Sequence, residues 1–191
     1  MDESVRSEFI LGGQRSGKSR RAEEAARQWM AAESAHRAVM VATGQAWDGE
    51  MRDRIARHQL DRAARVPGMV TVEEPVALAD ALRRHSAPRT LIVVDCLTLW
   101  LTNLLMPAQA DETLDEAAVI AAGEALCRAI ADAPGPLVLV GNEIGLGVIP
   151  MGREVRQFVD LLGRLNQCVA ATCERVTLMA AGLPLVLKGR I

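Results

Sequence analysis

Residues 12–19 read Gly12-Gly13-Gln14-Arg15-Ser16-Gly17-Lys18-Ser19, a full GxxxxGK[ST] match set between the apolar run Phe9–Leu11 and the helix-forming stretch Lys18–Ala32. Glycines at these positions let successive backbone N–H groups turn inward around an anion, and the start of the next helix adds partial positive charge. Lys18 offers an ammonium to the β- and γ-phosphates of a nucleotide, and the Ser19 hydroxyl offers a ligand to Mg²⁺. The arrangement works only as a strand–loop–helix unit, so the chain is expected to build a sheet that carries this loop at its carboxyl edge.

The rest of the chain repeats that alternation. Further apolar runs lie at Ala38–Ala42, Met69–Val72, Leu91–Val94, Leu137–Val140, Val176–Met179 and Leu183–Leu187. Between them stand Ala-, Arg-, Glu- and Leu-rich segments at Glu50–Ala64, Val76–Arg84, Leu114–Ala131 and Arg153–Cys173, which favour helix. Runs rich in Val and Ile that end in Gly, Asp or Asn read as buried strands of a parallel sheet. Only Ala180–Gly182 separates the last two runs, too few residues for a helical crossover, so they form a hairpin with one antiparallel edge strand. The expected fold is α/β: a three-layer P-loop (RecA-like) fold with a mostly parallel sheet, one domain over residues 1–191.

Composition narrows the function. With 22 basic and 24 acidic residues the formal charge is −2, which argues against a strongly basic nucleic-acid binder. The longest uncharged stretch, Cys96–Ala110, contains Thr, Asn and Pro and falls short of the roughly 18 apolar residues of a membrane span. The opening Met-Asp-Glu lacks the positive start of a secretory signal, and a cytoplasmic location is expected. Cys96, Cys127, Cys168 and Cys173 show no CxxC pairing and read as reduced, mostly buried thiols. His36 and His85 read as surface residues. Of the basic residues only Lys18 and Lys188 are Lys, a hint that a compact ammonium matters at these positions.

Asp95 closes the run Leu91–Val94, where it has two readings. It is the Mg²⁺-side carboxylate of a P-loop protein, or it caps the helix whose apolar stripe is Leu97, Leu101, Leu104 and Leu105. A regulatory GTPase would need DxxG and NKxD, but the chain has Asp95-Cys96-Leu97-Thr98 and Asn142-Glu143-Ile144-Gly145. A motor or filament ATPase would usually be longer. A small-molecule kinase fits the length, needing a phosphate cradle, a metal and a pocket for an acceptor hydroxyl.

The segment Asp48–Arg65 is not an ordinary kinase lid. Met51, Ile55 and His58 fall along one helical face, among Arg52, Arg54, Arg57, Arg62 and Arg65. A neutral imidazole is a competent nucleophile towards phosphorus, and nearby guanidinium groups keep it unprotonated and stabilise developing charge. On the segment alone the favoured reading is a partly exposed helix histidine among solvated charges.

Four blocks of sequence carry a resemblance: GGQRSGKSRRAEEA (Gly12–Ala25), VATGQAWDGEMRDRIARHQ (Val41–Gln59), VVDCLTLWLTNLL (Val93–Leu105), and GNEIGLGVIP with GRLNQ (Gly141–Pro150, Gly163–Gln167). From Phe9 to Lys188 the chain resembles the bifunctional adenosylcobinamide kinase / adenosylcobinamide-phosphate guanylyltransferase family of cobalamin biosynthesis. The resemblance implies that His58 takes GMP from GTP as a covalent intermediate and that Gly12–Ser19 hold nucleotide phosphates. It implies a guanine nucleotide site lined by Ala42, Thr43 and Gly44 and by His58, Gln59, Leu60, Asp61 and Arg62. Glu73 and Asp95 match positions that contact nucleotide or its metal. It further implies Mg²⁺, ATP or GTP as donors, adenosylcobinamide and its phosphate as acceptors, and a homotrimer with sites shared between subunits. Two departures stand out: Gln14 occupies a position usually filled by a small residue, and Gly49 interrupts an acidic run, leaving Asp48 and Glu50. The Gly-rich stretch Asn142–Pro150 after a strand reads either as a border of the corrinoid site or as a connecting turn. The other readings of the whole chain are a one-step P-loop kinase without histidine chemistry and a non-catalytic nucleotide-binding module.

Overall fold

The computed structural model describes residues 5–46, 49–107, 114–148 and 150–189, and the backbone alone at positions 50, 51, 54, 55 and 58. Its elements run β1 (Ser7–Gly12), α1 (Lys18–Ala32), β2 (Arg37–Ala42), α2 (Gly49–Arg65), β3 (Val70–Glu73), α3 (Leu78–His85) and β4 (Thr90–Asp95). They continue α4 (Leu97–Leu105), α5 (Glu116–Ala131), β5 (Leu137–Val140), α6 (Arg153–Thr172), β6 (Arg175–Ala180) and β7 (Leu183–Lys188). Every apolar run of the sequence is a strand, as expected.

The sheet has the order β3-β2-β4-β5-β1-β6-β7. All neighbours are parallel except β6 and β7, the expected hairpin. Side chains alternate across it with the period of two that a pleated strand imposes. Phe9, Leu11, Ile92, Val94, Leu137 and Leu139 face a core with α3, α4, α5 and α6. Ile10, Leu91, Val93, Val138 and Val140 face a smaller core with α1 and with Val66 just after α2. Two apolar faces on one sheet require two helical layers, and both are present.

The run at 69–72 becomes the edge strand β3, and Val70 is 58% exposed because no strand lies outside it among the described residues. One expectation needs correcting. His36 is not a surface residue. Its ring stacks on Trp29 with centroids 3.7 Å apart and planes 2° from parallel, and its Nδ1 lies 2.8 Å from the Trp29 carbonyl oxygen. The end of α1 and the entry to β2 fold back on each other there, burying the imidazole face. His85, at the end of α3, is half-buried.

All four cysteines are free thiols, three buried and Cys168 half-buried, in line with the sequence reading. Burial pushes Cys96 up to about 11 and Cys173 up to about 12, since a thiolate would lose its hydration there.

The strand register fixes the functional edge. Glu73 pairs with Ala42, Ala42 with Asp95, Asp95 with Val140, and Val140 with Ile10. The carboxyl ends of five parallel strands therefore form one row, and Gly12 lies two residues beyond Ile10.

Candidate active site

The loop leaves β1 through Gly12, where a side chain is sterically excluded. A Cβ there would sit 2.5 Å from the Met179 carbonyl oxygen and 2.6 Å from Ser16 Oγ. Gly17 caps α1 in the left-handed region, with φ 101°, which glycine adopts without strain. Neighbouring segments hold the loop on both sides. Gly182 N, in the β6–β7 turn, donates to Ser16 O at 3.0 Å, and Glu143 N donates to Gly12 O at 3.1 Å. Gln14 and Arg15 are exposed at the loop's tip.

Lys18 bends back over this loop. Its Nζ donates to Gly13 O at 2.7 Å, and the residue is 8% exposed. Burial lowers its pKa, while the neighbouring Cys96 and Asp95 act in the opposite direction. An ammonium in partial desolvation, tied to one neutral carbonyl, gains from exchanging that carbonyl for a phosphate oxygen. Behind the loop, Glu8 is 2% exposed and accepts from Arg21 Nη2 at 2.8 Å, Arg21 Nε at 3.1 Å and Thr177 Oγ1 at 2.7 Å. This network pins the first turn of α1 to β1 and β6.

Asp95 is the last residue of β4 and half-buried. The N-cap of α4 is Cys96, with no side-chain cap bond, so the capping reading of Asp95 falls. Its carboxylate is close enough to Lys18 to oppose the effect of burial there. Ser19 and Asp95 are hard oxygen donors on one edge, which suits Mg²⁺. Among the described residues no group of three or more His, Cys, Asp or Glu could cage a metal. The ion would complete its shell with phosphate oxygens and water, its usual state in kinase sites.

Thr43 is wholly buried. Its Oγ1 donates to Cys96 O at 2.7 Å and accepts from Cys96 N at 2.9 Å. Its carbonyl accepts from Asn103 Nδ2 at 2.7 Å. Its side chain therefore latches the end of β2 to the turn after Asp95, with its hydroxyl proton committed to Cys96 O. The half-buried Ala42 and Gly44 and the exposed Glu73 remain at the surface of the same edge.

Helix α2 follows from this edge. His58 lies on it, with its side chain outside the described set; Met51, Ile55 and Arg54 share that status, and Asp48 lies outside the described residues. Gln59, Leu60 and Asp61 are exposed, and Arg62 is 7% exposed. Arg62 Nη1 donates to Thr71 Oγ1 at 3.1 Å, and Arg65 Nη1 donates to Glu23 at 2.8 Å. Arg62 thus ties α2 to β3 through Nη1.

A cavity of about 780 Å³ opens outside the loop, lined among others by Arg15, Ser16, Gly17, Arg20 and Pro184, but not by Lys18, Ser19 or Asp95. It therefore lies beside the phosphate cradle and not over the metal side.

Sequence reasoning missed Glu8, Thr98, Asn103 and Asn166. The two asparagines carried a usable signal: each stands among leucines on an apolar helix face, where a buried amide needs partners.

The family model for cobinamide kinase / cobinamide phosphate guanyltransferase matches residues 8–187, from β1 to β7. The chain belongs to that family. The bifunctional adenosylcobalamin biosynthesis protein CobP of Pseudomonas aeruginosa is 48% identical over 182 residues, covering 95% of this chain and 97% of that protein. The bifunctional adenosylcobalamin biosynthesis protein CobU of Escherichia coli is 34% identical, covering 94% of this chain and 98% of that protein. The CobU of Salmonella typhimurium is 34% identical with the same coverage. As a member of this family the protein is an enzyme, a cobinamide kinase and cobinamide phosphate guanylyltransferase. The P-loop, Asp95 and the α2 helix all fall inside the matched range.

Proposed function

We propose that this cobinamide kinase / guanylyltransferase runs both reactions at the carboxyl edge of the sheet, with His58 carrying GMP between donor and acceptor. The observation that supports this is convergence on one edge. The loop holding Lys18 over Gly13, the Asp95 carboxylate, and the Ala42–Gly44 exit towards the His58 helix all end there.

In the first reaction the aminopropanol hydroxyl of adenosylcobinamide attacks the γ-phosphorus of ATP or GTP. The bond to the β–γ bridging oxygen breaks, the nucleoside diphosphate leaves, and the hydroxyl proton passes to water. Lys18 and the loop N–H groups meet the charge on the transferring oxygens. Ser19 and Asp95 would hold Mg²⁺, which would supply further positive charge to those oxygens.

In the second reaction a neutral ring nitrogen of His58 attacks the α-phosphorus of GTP. A P–N bond forms as the P–O bond to pyrophosphate breaks. A phosphate oxygen of adenosylcobinamide phosphate then attacks the same phosphorus and breaks the P–N bond. The histidine is regenerated and adenosylcobinamide-GDP leaves. The stretch Asn142–Pro150 borders the corrinoid acceptor: it starts beside Gly12, and Ile144, Leu146 and Val148 on it are 42%, 82% and 97% exposed. A large, weakly charged ring suits such an apolar rim.

The working assembly is a homotrimer. Leu183, Leu185 and Leu187 on edge strand β7, 71%, 57% and 56% exposed, support an association surface. Its location is the cytoplasm, where ATP and GTP are supplied; among the described residues no helix is long and apolar enough to cross a membrane.

The test uses GTP labelled at the α-phosphate. The wild-type protein takes up acid-labile, base-stable label; His58→Ala takes up none and still phosphorylates cobinamide. A wild-type protein that stays unlabelled, or a His58→Ala variant that labels normally, overturns the histidine assignment.

A further inference from the structure

The block Gly163–Gln167 resembles the family's sequence but has no part in the chemistry above. In the fold it meets the other block of that kind. Asn166, on α6 among Leu161, Leu162, Leu165 and Val169, is 5% exposed. Its Nδ2 donates to Asn142 O at 3.1 Å. The other polar backbone group of the same residue is held from the opposite side: Asn142 N donates to Thr98 Oγ1, on α4, at 2.9 Å.

The flanking residues are held as firmly. Gly141 N donates to Ile10 O at 3.0 Å and Glu143 N to Gly12 O at 3.1 Å, which extends the β1–β5 pairing as far as the phosphate loop. A Cβ on Gly141 would come within 2.9 Å of the Phe9 ring, so the backbone lies directly on the core. Beyond this root, Gly145 N turns back to Glu143 Oε1 at 2.6 Å, and the apolar side chains stand in solvent. The stem is fixed and the tip is open.

We propose that Asn166 and Thr98 are positioning residues for the acceptor: together they set where the 142–148 stretch stands relative to the phosphate loop, and so where cobinamide is held. Neither touches a reacting atom. A buried amide on an apolar helix face opposes folding unless its bonds are made. Here Asn166 Oδ1 has no protein partner, so only the Nδ2 bond offsets its burial. An apolar residue would pack there with less loss, but it would leave Asn142 O unheld.

This inference rests on the reading that the stretch borders the acceptor, and the experiment separates the two. Steady-state kinase kinetics would be measured with cobinamide and ATP varied in turn for Thr98→Val, Thr98→Ser, Asn166→Leu and the tip variant Leu146→Ser. Loss of one net hydrogen bond at the root predicts a rise of about 5- to 10-fold in KM for cobinamide for Thr98→Val and Asn166→Leu. KM for ATP and the α-phosphate labelling of His58 change less than about twofold on the same scale, and Thr98→Ser restores the wild-type KM. If Thr98→Val leaves KM for cobinamide unchanged, or raises KM for ATP equally, the positioning role is overturned. If Leu146→Ser leaves KM for cobinamide unchanged while Thr98→Val raises it, the bordering role of the tip fails and the role of the root stands. Should Asn166→Leu fail to fold, Thr98→Val, which loses only a hydroxyl, decides alone.

Discussion

Helices α1 and α2 each follow a strand of the same sheet and pack on the same face, yet they are held in opposite ways. Helix α1 is fixed at its catalytic end: Gly17 caps it, the Glu8–Arg21 pair pins its first turn, and Lys18 is buried. Helix α2 is fixed at its far end, through Arg62 to Thr71 and Arg65 to Glu23. Of its described side chains only Arg62 is buried. The difference suits the two chemistries proposed above. Phosphoryl transfer needs donors already placed around the charge, whereas a nucleophile that meets donor and acceptor in turn needs a support anchored away from its reacting group.

The sharpest way to break this contrast is at Lys18. Lys18→Ala removes the ammonium from the rigid cradle and is expected to lower kinase turnover by about 10²- to 10³-fold. With the shared cradle proposed above, guanylyl transfer falls with it. The check is kcat for both reactions beside nucleotide Kd. Survival of both rates would mean that the cradle does not hold the reacting nucleotide.

Next is the pin behind the loop. Glu8 is almost fully buried and accepts three bonds, so Glu8→Ala strands Arg21 and the Thr177 hydroxyl. Arg21 keeps some access to water, 29% exposed, which softens the penalty to about 2–3 kcal/mol of stability. Urea unfolding of wild type and variant measures it. An unchanged midpoint would show that the first turn of α1 is held by Gly17 and packing alone.

Much of this was readable beforehand, for a physical reason. The loop motif and the strand runs are local signals, set by backbone chirality and burial within a few residues, and they gave every strand and the place of Lys18. What escaped were partners distant in sequence. Thr43 meets Cys96 across 53 residues and Glu8 meets Thr177 across 169, and no spacing rule links such pairs. Arg62 is a further case: beside His58 in sequence it reads as a nucleotide contact, while its bond to Thr71 on β3 has no local signal. Asp95 shows the reverse: its two readings were locally equivalent, and only the cap at Cys96 separated them.

The weaker hold on α2 is broken by Arg62→Met, which keeps the bulk and loses the bond to Thr71. Guanylyl transfer is expected to drop about 10-fold, since small misplacement of a reacting group is enough for that. Kinase kcat should stay within about twofold, because α1 and the loop are untouched. Parallel assays of the two half-reactions test it; an equal fall in both would show that the two helices move as one body.

The smallest effect concerns pH and reports on the sheet's other face. Cys173 caps α6, is wholly buried and stays protonated up to about 12 against an ordinary value of 9.0. Above pH 9 the unfolded chain releases this proton and the folded chain does not. The folded state therefore binds more protons and stability falls as pH rises, by about 1 kcal/mol per pH unit from this thiol. Lys18 acts with the opposite sign. Its lowered pKa means that the folded chain releases a proton more readily, so its contribution to stability rises with pH until the unfolded lysine also titrates. Cys173→Ala should flatten the fall above pH 9 and leave both transfer rates at pH 7 unaltered, while Lys18→Met should steepen it. Unfolding midpoints of the three proteins from pH 8 to pH 10 give the signs directly. A steeper fall in Cys173→Ala would show that the thiol is not what resists ionisation behind α6.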